Sequence, residues 1–137
     1  MISPTGRTAR GFDEFGSGAY GASRTKGGKT YMHEGTDFLC MPGQDIVAPT
    51  GGLILRLKNP YSKPVRGVFF GGILLQGSNY MITLFYFEPI KELVTMKVQQ
   101  GDLIEHAQDI SLKHPGITPH IHMHLDSINP EVFINLP

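Results

Sequence analysis

Three histidines alternate with apolar residues near the end of the chain, in the stretch PHIHMHL at positions 119–125. Residues two apart on a β-strand point to the same face of a sheet, so His120, His122 and His124 would share one face. The isoleucine, methionine and leucine between them would then face the core. This spacing is compatible with the polar outer face of an amphipathic strand and also with a metal-binding face.

A second group of potential ligands lies in YMHEGTDFLC, where His33 and Asp37 are four residues apart. Two imidazoles and one carboxylate with a fourth position open are the ligand set of catalytic zinc sites. His33 and Asp37 together with a histidine of the later strand could supply that set. The alternative is a loop in which the two side chains form only a cap or a salt bridge.

The composition indicates one loop-rich, strand-rich domain. The chain has 137 residues, of which 40% are apolar, 18% are charged and 27 are glycine or proline. Twelve basic residues balance twelve acidic ones, so we predict neither a nucleic acid nor a membrane surface as partner. The longest apolar runs are also far shorter than the roughly 20 residues that a membrane helix needs.

The pattern along the chain predicts an irregular Gly-rich N-terminal arm (1–30) followed by a mostly β domain (31–137), with antiparallel strands and few or no helices. Two short strands are predicted at Asp45–Ala48 and Leu53–Lys58. Residues 66–77 and 79–90 should pair across GSN. Residues 95–107 should form a hairpin that turns at QQGD, and residues 119–125 form the last strand.

Several of these segments resemble a known family. HEGTDF, VAPTGGLI and PHIHMHL are similar, in order, to motifs of the lysostaphin/LytM-type zinc endopeptidases, which cut glycine-containing peptide bridges in bacterial cell walls. The resemblance is closer to an offshoot of that fold, the leukocyte cell-derived chemotaxin 2 and myeloid protein family. It is carried by GSGAYGASR, HEGTDFLC, VAPTGGLI, NPYSK, LFYFEPIK, HPGITPHIH and NPEVF, which extend over nearly the whole chain.

The resemblance implies a zinc site whose ligands are His33, Asp37 and His122. It also implies that His120, in an active peptidase, would assist proton transfer beside the metal. Active members carry a further histidine in a Tyr-x-His-Leu strand, and Phe87 stands in its place here. A phenyl ring cannot donate a hydrogen bond to a developing oxyanion, which argues against catalysis.

The remaining histidines receive weaker assignments. His124 stands where the family usually has an acidic residue. We expect it to lie near the ligands without binding the metal. The alternative is a fourth ligand, which would close the coordination sphere. His106 and His114 are expected to be solvated loop residues.

The cysteine content separates the chain from its secreted relatives, which the resemblance implies are disulfide-bonded. Phe12, Ser17 and Met81 stand at bridging positions, and Cys40 is the sole cysteine. We expect Cys40 to be a buried apolar thiol. One cysteine and a start without a signal-like apolar core favour an intracellular protein, although a secreted one remains open if a signal was trimmed.

Three alternative functions are compatible with this sequence. The first is a non-catalytic zinc-binding interaction module that acts through a protein partner. The second is a zinc endopeptidase that cleaves glycine-containing peptides. The third is a metal-free structural module in a larger assembly.

Overall fold

The computed structural model describes residues 1–13, 15–26, 28–78 and 80–125. The segment NPEVF, one of the matched motifs, lies outside this range. Two single-turn 3₁₀ helices occur, at Lys91–Leu93 and Ile110–Leu112, and within the described residues no helix is long and apolar enough to cross a membrane. The strands are β1 (Phe12–Asp13), β2 (Gly16–Ser17), β3 (Ser23–Lys26), β4 (Lys29–Met32), β5 (Thr36–Leu39), β6 (Asp45–Val47), β7 (Gly52–Lys58), β8 (Gly72–Gln76), β9 (Met81–Phe85), β10 (Phe87–Pro89), β11 (Lys97–Val98), β12 (Leu103–Ala107) and β13 (His120–Leu125).

A six-stranded antiparallel sheet, ordered β11-β7-β8-β9-β13-β5, is the main element of the fold, which confirms the predicted mostly β class. The histidine strand β13 lies between β9 and β5. Ile121, Met123 and Leu125 have no exposed surface, whereas His122 and His124 are partly exposed on the opposite face. The predicted alternation along β13 is therefore confirmed.

A second sheet, ordered β10-β12-β6, shares the core of the first. Its buried side chains, among them Ile46, Phe87 and Ile104, belong to the same cluster as Ile54 and Leu84 of the large sheet. The apolar face of each sheet packs against the apolar face of the other and is thereby removed from water. This burial is the main stabilising contribution in such a two-sheet arrangement.

Two hairpin predictions have different outcomes. Strands β8 and β9 pair in register from Gly72↔Phe85 to Gln76↔Met81, as predicted. The predicted hairpin at 95–107 is wrong, because β11 pairs with β7 and β12 pairs with β6 and β10. The QQGD turn exists, with Asp102 N–H donating to the Gln99 carbonyl at 3.0 Å, but it carries the chain from one sheet to the other.

The predicted strand at 79–90 is likewise divided between the two sheets. Tyr86 has φ +81°, in the left-handed region that side chains other than glycine seldom adopt, and it separates β9 from β10. The direction of the chain changes there, so the alternation of side chains along β9 does not continue into β10.

Two short hairpins that the sequence did not indicate, β1–β2 and β3–β4, lie in the N-terminal arm and at its end. Before β1 the chain runs beside β5, where Ala9 forms a bridge with Phe38 and Leu39 N–H donates to the Thr8 carbonyl at 2.9 Å. This segment pairs with the edge strand of the large sheet, whose N–H and C=O groups would otherwise be unpaired. The arm is thereby held against the residues that precede and follow Asp37.

Candidate metal centre

Strands β5 and β13 bring the predicted ligands together. His122 and Asp37 are register partners on these two strands, and His33 lies just after β4. His122 Nδ1 lies 3.0 Å from Asp37 Oδ1 and 3.1 Å from His33 Nε2, and His33 Nε2 lies 3.3 Å from Asp37 Oδ1. Three donors bound to zinc at about 2.0–2.1 Å in a tetrahedron would be roughly 3.3 Å apart, so the observed triangle fits one face of that tetrahedron.

The hydrogen bonds behind the imidazoles turn their lone pairs toward this common point. His33 Nδ1 lies 3.1 Å from the Ala19 carbonyl, which can only accept, so the proton is on Nδ1 and Nε2 is bare in the neutral ring. His122 Nε2 lies 3.1 Å from His124 Nδ1, on the side of the ring opposite to Asp37. Hydrogen bonds to the ring nitrogen that does not bind the metal orient histidine ligands in this way in metal sites. The three converging atoms all carry lone pairs, so a cation between them would be bound favourably.

A glycine permits the close approach of the loop that carries His33. A Cβ added to Gly35 would lie 2.5 Å from the Met123 carbonyl oxygen and 2.6 Å from His122 Cε1. Any other residue would therefore separate the loop from β13. The HEGTD spacing supplies the ligands, and its glycine lets them meet the strand.

The second oxygen of Asp37 faces a cationic side of the site. Asp37 Oδ2 accepts from Arg10 Nη2 at 3.2 Å and lies 3.8 Å from Arg24 Nη2. Burial alone would raise the pKa of the Asp37 carboxyl, but the hydrogen bonds that His122 and His33 donate when protonated, and the charge of His120 when protonated, outweigh burial, so the pKa lies well below its usual range. The carboxylate is therefore ionised at neutral pH, with Oδ1 turned toward the two imidazoles.

Arg10 is buried at 2% exposure, and its charge is compensated on two sides. Nη1 pairs with Asp13 Oδ2 at 2.8 Å and donates to the Gly16 carbonyl at 2.8 Å, while Nη2 holds Asp37. Gly18 allows this packing, because a Cβ there would lie 2.6 Å from Arg10 Cβ. The arm thus supplies a fixed cation directly behind one of the three ligands.

His120 lies beside the ligands without joining them. Its Nδ1 donates to the Thr118 carbonyl at 2.8 Å, and its Nε2 lies 3.6 Å from Asp37 Oδ2. Burial lowers the pKa of His120 by more than the Asp37 charge raises it, so the ring is neutral at pH 7 with Nε2 free to accept a proton. This is the chemical state that the resemblance requires of a proton-transfer residue.

Tyr86 lies beside the imidazoles and lines the cavity, whereas Phe87, predicted near the site, is fully buried in the main core. The Tyr86 ring packs edge-on against His120, with centroids 5.4 Å apart, and Phe85 stacks on His122 at 6.1 Å. The left-handed backbone at Tyr86 turns that ring to the cavity and sends the next side chain into the core. Burial and the neighbouring Tyr61 raise the pKa of Tyr86, so its hydroxyl stays protonated.

The other histidines differ in their surroundings. His124 Nδ1 contacts His122 Nε2 and is outside the group of three converging donors. His106 is exposed but lies on β12, where its Nε2 is 3.0 Å from Asp45 Oδ1. His114, predicted to be solvated, lines the site cavity and packs against Phe15 with ring centroids 5.4 Å apart; burial, Lys113 and Arg10 lower its pKa.

The three ligands form part of the wall of a cavity of about 600 Å³. The arm contributes Arg10, Phe15, Ser23, Arg24 and Thr25 to this wall. Sequence reasoning assigned no role to either arginine or to Tyr86. Arg24 ends the matched segment GSGAYGASR and Tyr86 lies within LFYFEPIK, so the resemblance pointed to these stretches, but no spacing rule identifies an arginine that reaches Asp37 from so far along the chain.

Comparison with known proteins identifies relatives of this chain by sequence. Leukocyte cell-derived chemotaxin-2 of Mus musculus is 30% identical over 133 residues, which cover 96% of this chain and 83% of that protein. Myeloid protein 1 of Gallus gallus is 33% identical over 119 residues, which cover 83% of this chain and 33% of that protein. No protein-family model matches the chain.

A solved structure shows the same fold. The catalytic domain of the antimicrobial peptidase lysostaphin from Staphylococcus simulans superposes with a TM-score of 0.59 at 18% identity, covering 84% of this chain and 87% of that one. This likeness confirms the predicted lysostaphin-type fold.

Replacing Arg10 by methionine tests the buried pair. Arg10→Met removes the guanidinium nearest to the buried Asp37 carboxylate and leaves only that of Arg24, 3.8 Å away, so we expect the free energy of unfolding to fall by about 3–5 kcal/mol. Urea denaturation of the metal-free protein at pH 7 measures this. Arg56→Met removes the same charge from an exposed position on β7 and should change stability by no more than about 0.5 kcal/mol. A loss below about 1 kcal/mol in Arg10→Met would contradict the assigned role, since that is the contribution of a surface pair.

The pKa of His120 leads to a pH prediction. In the metal-free protein the ring should titrate below the ordinary value of about 6.5, and the urea-unfolded chain is the reference. Because the unfolded chain then binds more protons between the two values, the His120 contribution to stability is present above about pH 6.5 and is lost as the pH falls through this window. NMR of the imidazole carbons gives the midpoint, and a midpoint at or above that of the unfolded chain would contradict the prediction.

Proposed function

The chain belongs to the family of leukocyte cell-derived chemotaxin-2 and myeloid protein 1, and from that premise we propose that it is a zinc-binding interaction module that binds a protein partner without cleaving it. The observation that carries the proposal is the triangle of His33 Nε2, Asp37 Oδ1 and His122 Nδ1, with sides of 3.0–3.3 Å. The fold is that of a peptidase domain, and within it these three atoms face one point.

Zinc is the cation that this donor set favours. Two imidazole nitrogens and one carboxylate oxygen form a borderline-hard set at tetrahedral spacing, whereas calcium and magnesium prefer six or more oxygen ligands. His33, Asp37 and His122 would hold the ion, and Ala19, His124 and Arg10 would orient them. When bound, zinc would supply a Lewis acid with one coordination position open to the cavity.

The proposal of a non-catalytic role rests on the residue at the position of the family's additional histidine. Phe87 cannot donate a hydrogen bond, and its ring belongs to the core. Loss of one donor to a developing oxyanion typically lowers a rate by about a hundredfold or more. The name chemotaxin, borne by two of the relatives, describes a chemotactic factor, which is in keeping with a binding role.

We further propose that the protein works in a reducing compartment. Cys40 is buried, and burial raises the pKa of its thiol to about 12, so it is a poor nucleophile. The backbones of Phe12 and Ser17 are register partners across β1–β2, at the two positions where the secreted relatives are expected to have a bridged pair. Ordinary strand pairing therefore joins the chain where a disulfide would.

Metal analysis is the first test. Untagged protein should contain about one zinc per chain by elemental mass spectrometry, and His122→Ala should contain almost none, because two ligands rarely retain zinc. His106→Ala removes an imidazole from β12, away from the triangle, and should keep the metal. No zinc in the wild-type protein would overturn the proposal and leave the metal-free structural module as the function.

Endopeptidase activity is the second candidate, which the neutral His120 beside Asp37 favours. In this case His120 Nε2 would accept and return the proton. We expect the zinc-loaded protein to leave pentaglycine intact when the products are followed by mass spectrometry. Cleavage that disappears in a zinc-containing His120→Ala variant would instead establish the peptidase.

A further inference from the structure

We infer that the cavity beside the three ligands is a carboxylate-recognition site, in which Arg24 pairs with a carboxylate of an acidic partner peptide. The inference rests on the proposed zinc-binding function and names the chemistry of its ligand. It follows from the charges of the cavity wall, from the hydrogen bonds of the two arginines and from the distance between Arg24 and Asp37.

Two cationic side chains line the described cavity wall, one more than the carboxylates that line it. It contains two guanidinium groups, those of Arg10 and Arg24, and one carboxylate, that of Asp37. Asp13 neutralises Arg10 from outside the wall. A divalent cation held by the ligand triangle would add two charges, and a cavity lined by one sign of charge attracts the opposite sign. Since the two guanidinium groups are balanced by Asp37 and Asp13, the charge of a bound cation would make the site positive and favour an anionic ligand over a neutral peptide bond.

Arg24 is the more exposed arginine of the cavity. Arg10 binds Asp13, Asp37 and a backbone carbonyl, and its Nε–H, which has no partner, is buried out of reach of a ligand. Arg24 Nη2 donates to the Ser17 carbonyl at 2.7 Å and Nη1 donates to the Ser23 carbonyl at 3.1 Å, which uses two of the five N–H groups of a guanidinium. These two bonds fix the side chain, which is 16% exposed, and leave N–H groups for a ligand.

The position of Arg24 suits the two oxygens of one carboxylate. Its Nη2 lies 3.8 Å from Asp37 Oδ2, too far for a hydrogen bond but close enough that a single ligand group can reach both the guanidinium and the open side of the triangle. Charge-assisted bonds from arginine to carboxylate are short and directional. One oxygen would face Arg24 and the other the metal side of the cavity.

The surrounding wall suits a peptide more than a polyanion. Phe15, Tyr31 and Ile117 line the cavity and offer apolar contact to a chain that carries the carboxylate. The protein has no net charge, and a nucleic acid would require an extended basic surface. The carboxylate could belong to a C-terminus or to an aspartate or glutamate side chain, and the probes below distinguish these sources.

Binding of three synthetic peptides to the zinc-loaded protein tests the inference. The probes are acetyl-Gly-Gly with a free C-terminus, the same peptide with a C-terminal amide, and acetyl-Gly-Asp-Gly-amide, measured by isothermal titration calorimetry. At least one acid peptide should bind about tenfold or more tightly than the amide, because a charged pair contributes more than a neutral contact. The tighter of the two acids identifies the source of the carboxylate.

Two arginine variants complete the test. Arg24→Gln should lose about tenfold or more in affinity for the acid peptide with no change for the amide, whereas Arg56→Gln, on an exposed part of β7, should behave as the wild type. If Arg24→Gln does not fold, Arg24→Lys keeps the charge without the planar fork and should still lose several-fold. Equal binding of acid and amide, or an unchanged affinity in a folded Arg24 variant, would overturn the inference.

Zinc content measured on the same samples separates this inference from the proposed function. A wild-type chain without zinc ends the zinc-binding proposal, while a tenfold effect of Arg24→Gln on the acid peptide would still support Arg24 as its recognition residue. A zinc-containing chain in which Arg24→Gln has no effect keeps the zinc module and ends the carboxylate site.

Discussion

A buried carboxylate is the constraint on which much of this structure depends. Asp37 has 4% exposure, and an ionised group at that depth is tolerated only if it is paired and hydrogen-bonded. Its partners come from three separate parts of the chain: Arg10 from the arm, His33 from the loop before β5 and His122 from β13. The three segments must therefore pack together for the chain to fold with this charge inside.

The N-terminal arm is consequently part of the site. Residues 8–10 pair with the open edge of β5, and this pairing places Arg10 behind the carboxylate while β3 brings Arg24 beside it. The same contacts that cover an unpaired strand edge supply the cationic side of the cavity. Stability and ligand chemistry are thus linked, because loosening the arm would both expose the edge and leave Asp37 without its nearest fixed cation.

The cavity combines a buried histidine and two guanidinium groups with the three converging ligand atoms. A neutral His120 lies beside Asp37, where it could transfer a proton, and the Tyr86 ring packs against it, but the phenyl ring of Phe87 belongs to the core. The left-handed backbone at Tyr86, with φ +81°, directs the Tyr86 ring to the cavity and the Phe87 ring to the core. Two arginines lie beside the three ligands, Arg10 paired with Asp13 and Asp37 and Arg24 bonded to backbone carbonyls.

The sequence by itself determined what depends on local geometry. Alternation along 119–125 placed the three histidines opposite the apolar residues of β13, because successive residues of any strand point to opposite faces. The motifs around His33 and Asp37 pointed to the family and the fold. Only the tertiary structure decided that Arg10 and Arg24 reach Asp37, that Tyr86 and not Phe87 borders the cavity, and that residues 95–107 join two sheets. These outcomes depend on which distant surfaces meet and on one left-handed residue, and neither leaves a periodic signal in the chain.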